Sequence, residues 1–345
     1  MPKPDRTDLA IVVDFQTTST DPVTVSFADR FGTPNIHRYL TFLVAAGGSE
    51  ILSDSGAGEW TVRPSAQRRV RLEYTLSYDP EELKYNTYSP NVSEHHFHVA
   101  GCQWALQIGE PDDEHTLRVR MDHAGGWTLY TSLSGTPHDF EVDASFDDLV
   151  SSAIGGSRRE PHRFTCGGSP VSVFLQGAFD VPEGEMIDAA ERIVRSQWRT
   201  FGPPDGEFLH VVLLPRLENV AGVRFRNMFV SFLDPEVDRM SLYVLLAHEM
   251  LHNWIAGDLI TPEDGHEPVR YAWVYEGFTE YLARRMLLDD GLLTAGEFLD
   301  LLNRDITAIA DNPHGDATYD DLVAARRDGT FGQAFNKLSY YRGAL

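Results

Sequence analysis

Two cysteines in 345 residues, Cys102 and Cys166, are too few for a disulfide framework. Neither has a partner at metal-ligand spacing, so both are expected to be free thiols, and any metal must be held by other side chains. No apolar run approaches the ~20 residues of a membrane-spanning helix. The N-terminus, Met1-Pro-Lys-Pro-Asp-Arg-Thr-Asp8, has no apolar signal core, so the expectation is a cytoplasmic protein. Positive charge is also scarce: 29 Lys and Arg stand against 52 Asp and Glu, a net charge of −23. Acidity of that size repels phosphate backbones and anionic lipid, which removes nucleic acid and membrane from the expected partners. It is compatible with a high-salt source and with a merely acidic proteome. There is no internal repeat and no low-complexity block.

What is present is the composition of a globular protein, 42% hydrophobic and 11% aromatic, and enough length for two domains. Residues 9–165 alternate apolar and polar over short runs such as Leu9–Phe15, Val23–Phe27, Val70–Tyr74, Leu117–Met121 and Trp127–Tyr130. Turn-forming residues separate them, which predicts an antiparallel β-sandwich. Gly155-Gly156-Ser157 is the expected hinge region. Then come a strand over Val171–Leu175, a helix over Glu185–Phe201, strands over Leu209–Leu214 and Phe225–Leu233, and helices through residues 277–310. The expected fold class is therefore α+β: a β-sandwich domain, residues 1–165, then a mainly helical domain, residues 166–345.

The motif that carries chemistry is His248-Glu249-Met250-Leu251-His252. Residues four apart lie on one face of a helix, so both imidazoles can reach one metal ion. Glu249, one step round, is placed to take a proton from water at that metal. The preceding Ser241–Ala247 is almost uncharged, so the helix is expected to be buried, where two histidines and a glutamate are costly unless they bind something. The expected cofactor is one Zn2+ per chain. Catalytic zinc takes a third protein ligand. Glu276, 24 positions after His252 in the helical pattern of Ala272–Leu288, is the best candidate. Asp258 is the alternative, weakened because Ile255 stands where a chain turning sharply under the metal needs Gly. Glu280, one turn beyond Glu276, is either a hydrogen-bond partner for a zinc histidine or a solvated charge.

His-Glu-x-x-His followed by Trp273-Val-Tyr-Glu-Gly-Phe-Thr-Glu-Tyr281 resembles the gluzincin metallopeptidases, most closely the glycyl aminopeptidase family, whose members often carry a PDZ domain. It is similar, more distantly, to the alanyl aminopeptidase family. Phe146–Ile154, Ala189–Gln197 and Phe201–Pro204 extend the resemblance, so that it covers most of residues 90–345. The resemblance implies a thermolysin-like catalytic domain and zinc-dependent hydrolysis of peptides, with His248, His252 and Glu276 on the metal and Glu249 as the general base. It also implies an oxyanion-stabilising tyrosine in a Tyr-x-Lys-Gly pattern. Tyr340-Tyr-Arg-Gly343 selects Tyr340, with Tyr341 as the fallback. No PDZ-like segment is present, and the chain stops directly after this pattern. Relative to the family it is expected to be either truncated or a naturally short member, and missing helices would leave core uncovered, favouring self-association or poor stability.

One departure concerns specificity. The family's Gly-x-Met-Glu segment, whose Glu binds the substrate's α-amino group, corresponds to Ala221-Gly222-Val223-Arg224. Gly222 and Arg224 are thus the candidate substrate-binding residues, and Arg224 would attract a carboxylate and repel an ammonium group. Glu218 is nearby but lies on the other side of the glycine. The leading expectation is a zinc peptidase with altered recognition of the substrate N-terminus. The alternative is a catalytically weak zinc-containing protein that binds peptides or serves as an interaction module; Arg224 and the early end motivate it, and Glu249 argues against it.

Overall fold

The structure, a computed structural model, describes residues 7–27, 36–78, 90–110, 113–121, 126–204, 206–216, 221–255, 271–330 and 332–345. They form a mixed α+β fold in two compact units. The first holds the described residues up to Pro161, with Arg216 and Phe225–Met228; the second holds the remainder, from His162 to Leu345.

The first unit is antiparallel throughout. Strands β1 (Thr7–Gln16), β3 (Leu40–Ala46) and β6 (Arg69–Tyr78) form one sheet, and β2 (Val23–Ser26), β4 (Glu50–Asp54), β5 (Glu59–Arg63) and β9 (Gln107–Ile108) form another. Along β6, Val70, Leu72, Tyr74 and Leu76 are buried, while the residues between them face outward, the two-residue period of a strand with one wet face. These four share a core with Val25, Trp60 and Val62 of the other sheet. Tyr74 donates its hydroxyl to the Trp104 carbonyl at 2.6 Å, which satisfies the polar end of a fully buried ring.

Strands β7 (Asn91–Val92), β8 (His96–Ala100), β11 (Thr128–Thr131) and β13 (Ala153–Ser157) make a third sheet. Strands β10 (His115–Arg120) and β12 (Asp139–Ala144) pair with each other, and the short helix α1 (Phe146–Val150) precedes β13. The expected hinge is therefore wrong: Gly155-Gly156-Ser157 is buried in β13, paired on both edges. A Cβ on Gly155 would lie 2.2 Å from the Tyr130 ring, and one on Gly156 2.6 Å from the Phe97 ring. These glycines admit aromatic rings and are not there for flexibility.

The second unit is built on a five-stranded sheet in the order β14 (His162–Cys166), β15 (Ser169–Leu175), β16 (Leu209–Pro215), β18 (Met228–Leu233), β17 (Ala221–Phe225). Helix α2 (Glu183–Phe201) connects the parallel pair β15 and β16. Its buried stripe, Met186, Ala189, Ala190, Ile193, Val194 and Gln197, follows the helical period. The single strand expected over Phe225–Leu233 is instead part of a hairpin. Asn227 adopts φ +58°, a left-handed conformation that asparagine tolerates, and turns the chain between β17 and β18. Helix α3 (Arg239–Leu251) then carries the His-Glu-x-x-His motif. Asp238 caps it by accepting from the Ser241 N–H at 3.0 Å, and Leu242, Leu246, Ala247, Met250 and Leu251 are buried. A π-helical stretch, Trp273–Phe278, runs into α4 (Thr279–Asp289); α5 (Ala295–Ala310), α6 (Tyr319–Arg327) and α7 (Gln333–Gly343) follow. Both cysteines are buried and neither is in a disulfide. No helix among the described residues is long and apolar enough to cross a membrane.

Candidate metal centre

Helix α3 is held from behind by Gln197, whose side-chain amide donates to the Ala247 carbonyl at 2.7 Å. The next residue, His248, faces His252 one turn on, with the two Nε2 atoms 3.2 Å apart. The π-helical stretch brings Glu276 to the same point, its Oε2 3.2 Å from His248 Nε2 and 3.7 Å from His252 Nε2. Single π-helical turns recur at functional sites because the extra residue per turn redirects a side chain. Here that side chain is Glu276.

The tautomers follow from the partners. His248 Nδ1–H donates to Glu280 Oε2 at 2.7 Å, and His252 Nδ1–H donates to the Ile255 carbonyl at 3.2 Å. Both Nε2 atoms are thereby turned toward each other and toward Glu276. Burial disfavours a charged His248, but the hydrogen bonds to Glu276 and Glu280 outweigh it and carry its pKa up to about 9. Burial and the neighbouring His248 charge hold His252 down.

Zinc fits this donor set. Four bonds of about 2.0–2.1 Å in tetrahedral array separate ligand atoms by about 3.3–3.4 Å, close to the spacings above. His248, His252 and Glu276 are the one group of potential ligands that converges among the described residues. Four carboxylates, Glu249, Glu276, Glu280 and Asp305, lie around the point; Arg284 pairs with Glu280 and Asp305, and the charge of the exposed Arg224 reaches His252. Asp258, the alternative ligand, and Glu218 lie outside the described residues.

Glu249 is on the same helix but off the ligand set. Burial raises its pKa, the nearby His248 charge opposes the rise, and Glu276 and Glu280 add to it; the Gly222 backbone N–H donates to its carboxylate. A Cβ on Gly222 would fall 2.4 Å from Glu249 Cγ and Cδ, so the glycine admits that carboxylate. Arg224, two residues along β17, points to the same face of the strand. It is exposed, and its charge reaches His252.

Tyr340 of α7 stacks on His248, ring centroids 5.8 Å apart at 18°, and shares a hydrogen bond with Glu276. Burial, and then the Glu276 charge, raises its pKa, so its hydroxyl keeps its proton. Lys337 Nζ lies 4.6 Å from the centre of the same ring. The glycines of both motifs explain how Tyr340 arrives. A Cβ on Gly343 would lie 2.3 Å from the Trp273 carbonyl oxygen, and one on Gly277 2.3 Å from Gly343 Cα. Backbone therefore meets backbone, and α7 sits against the Glu276 stretch. Arg342 donates to the Ala317 carbonyl at 2.5 Å and also to that of Gly315, which ties α7 to the preceding turn.

Two participants escape sequence reasoning. Arg284 donates to Glu280 Oε1 at 2.5 Å, and its other terminal nitrogen donates to Asp305 Oδ2 at 2.5 Å. The four-residue spacing of Glu276, Glu280 and Arg284 is a legible signal for the first contact; nothing local marks Asp305.

Residues 241–343, which include every residue of this cluster from His248 to Tyr340, match the family model of the M61 glycyl aminopeptidases. The chain resembles the gluzincin aminopeptidases. No curated protein matches it by sequence. Among solved structures it is similar to an aminopeptidase N family protein from Idiomarina loihiensis, at 16% identity and a TM-score of 0.74, over 99% of this chain and 63% of that one. It is also similar to an M1 zinc metallopeptidase mutant from Deinococcus radiodurans, at 15% identity and a TM-score of 0.51, over 100% and 78%. At such identities the likeness speaks to the fold. The chain spans 63% of the length of the Idiomarina protein.

Proposed function

We propose that the protein is a zinc-dependent peptidase of the gluzincin type, holding one Zn2+ through His248, His252 and Glu276. The observation that carries this reading is the convergence of His248 Nε2, His252 Nε2 and Glu276 Oε2 at 3.2–3.7 Å, with Glu249 beside them and outside the set. Zinc at that point supplies Lewis acidity, lowering the pKa of water and polarising a carbonyl. Glu249 takes the proton of the attacking water and passes it to the leaving amine; burial raises its proton affinity toward that task. Tyr340, which keeps its hydroxyl proton, donates to the oxygen that becomes negative as the carbonyl is attacked. Glu280 fixes the ring of His248.

Recognition of the substrate falls to the strand that carries Gly222 and Arg224. An exposed cation within electrostatic reach of His252 disfavours a free α-ammonium group and favours a carboxylate. The substrate is a peptide whose terminus need not be free. The alternative, a catalytically weak zinc-containing peptide-binding protein, makes no use of a buried carboxylate kept beside the ligands by a close-fitting glycine.

Metal analysis of the purified protein should find one zinc per chain, and a panel of peptide amides should be cut in a chelator-sensitive way. Glu249→Gln should keep the zinc and lose at least ~10²-fold in turnover, the usual scale for a general base. Zinc without hydrolysis in the wild-type protein would favour the alternative, and unimpaired hydrolysis by Glu249→Gln would remove Glu249 from the chemistry.

A further inference from the structure

We infer that Arg284 and Asp305 are positioning residues for the metal centre: they lock the Glu280 carboxylate against His248 and so fix the imidazole that faces the metal. The inference rests on the zinc reading above. Glu280 is held at both oxygens. Oε2 accepts from His248 Nδ1–H at 2.7 Å and Oε1 accepts from Arg284 Nη2 at 2.5 Å, so the carboxylate cannot turn about its last bond without breaking one of them. Arg284 is in turn held by Asp305, with Nη1 at 2.5 Å from Oδ2 and Nη2 at 3.4 Å from Oδ1. The chain of contacts therefore runs from a ligand on α3, through α4, to a carboxylate on α5. All four side chains are shielded: His248 is 5% exposed, Glu280 15%, Arg284 6% and Asp305 5%.

A merely structural ion pair is the competing account, and two observations weigh against it. Buried ion pairs are poor stabilisers, since desolvation consumes most of the attraction and apolar residues of similar size commonly serve as well. In addition, Arg284 Nε is buried without a hydrogen-bond partner, a penalty that a residue chosen only for stability would avoid. What the planar, forked guanidinium does supply is direction: it sets the plane of the Glu280 carboxylate. Groups that orient a metal-ligating histidine commonly change metal affinity by ~10–100-fold when removed.

The test removes both members of the Arg284–Asp305 pair together, Arg284→Met with Asp305→Leu, so that Asp305 is not left as a buried charge without its partner, and reads two quantities other than activity. The first is zinc affinity, measured by competition with a chelator. The second is the His248 Nδ1 proton in the zinc-free protein, followed by proton–nitrogen NMR with labelled histidine. Expected are ~10–100-fold weaker zinc binding and loss of the slowly exchanging Nδ1 proton, with cooperative unfolding retained. Unchanged zinc affinity together with an unchanged Nδ1 proton would overturn the inference while leaving the zinc site standing. A wild-type protein that binds no zinc would overturn the zinc reading itself, and the Nδ1 signal would still decide whether Arg284 and Asp305 orient His248. If the double variant does not fold, Arg284→Lys gives the same readout. One ammonium group cannot hold Glu280 and Asp305 in a single plane, so zinc affinity should still fall, and wild-type affinity in that variant would refute the role of the fork.

Discussion

Gly222→Ala should separate catalysis from stability. The added Cβ would stand 2.4 Å from Glu249 Cγ and Cδ and 2.6 Å from Oε2, well inside contact distance, so one group must move by about 1 Å or more. Nothing else opposes the substitution: Gly222 is not among the residues with positive φ, and alanine suits a strand better than glycine does. The group that yields is therefore the end of the Glu249 side chain, which can rotate, and not the backbone of β17 or α3. Rotation breaks the hydrogen bond from the Gly222 N–H, about 1.5–3 kcal/mol for a charged acceptor, and takes the base out of line. Displacement of a catalytic group by about 1 Å can cost ~10²-fold in rate. Expected, then, is a fall of about 10² in kcat/KM on a peptide amide, with one zinc still bound and a melting temperature within a few degrees of wild type. Adding Glu249→Gln should produce little further loss, because both changes remove the same function. Turnover within about threefold of wild type would show that Glu249 works from a position independent of Gly222, or is not the base. Loss of zinc in Gly222→Ala would show that the carboxylate moves into the ligand set.

Gly343→Ala should behave oppositely, because its Cβ would meet the Trp273 carbonyl and Gly277 Cα, which are backbone atoms. Overpacking of this kind costs about 1–3 kcal/mol, so thermal melting should fall by several degrees together with turnover, and an unchanged melting temperature would refute the backbone contact between α7 and the Glu276 stretch. Glu276→Ala should abolish stoichiometric zinc, and zinc retained in full would return Asp258 to consideration. Burial holds His98 at about 3 and His210 at about 4, below the ordinary 6.5, so the unfolded chain binds more protons than the folded one once pH drops below 6.5. Each should therefore cost about 2 kcal/mol of stability by pH 5, and His98→Leu should flatten the fall between pH 7 and pH 5 measured by denaturant unfolding; equal slopes in the two proteins would refute it. Arg224→Glu should shift kcat/KM toward free-amine over acetylated peptides by roughly tenfold, the scale of one close charge pair near a surface, and a strong wild-type preference for the free amine would show that another acid binds it.

The legible parts of the site are those whose logic is local. His248 and His252 are one helical turn apart, and Glu276 and Glu280 are four residues apart, so a period read along the chain finds them; Arg284 continues that spacing, but its sequence position alone does not tell its contact from a solvated charge. Asp305 comes from a separate helix 21 residues beyond Arg284, and no pattern near it marks the contact. The glycines were harder for a different reason. Gly155 and Gly156 look like punctuation in a sequence, but a Cβ at either would strike a ring of a neighbouring strand. Gly222, Gly277 and Gly343 likewise mark close approaches between segments distant in the chain, which composition cannot reveal. The hairpin at Asn227 was missed because an Arg-Asn turn between two apolar runs lacks the usual glycine cue.

These close approaches determine where the site is vulnerable. Helix α3 is capped by Asp238, braced by Gln197 and buried along most of its length, so the pair His248 and His252 is set by one rigid element. The remaining groups reach it from elsewhere: Glu276 on a π-helical stretch, Glu249 packed under Gly222, Tyr340 across the Gly277–Gly343 contact, and Glu280 through Arg284 and Asp305. Three of these approaches depend on a residue type that has no conservative substitute, either a glycine without Cβ or a guanidinium with a fork. Changes at these supports should therefore move turnover and zinc affinity while leaving the helix that carries His248 and His252 intact.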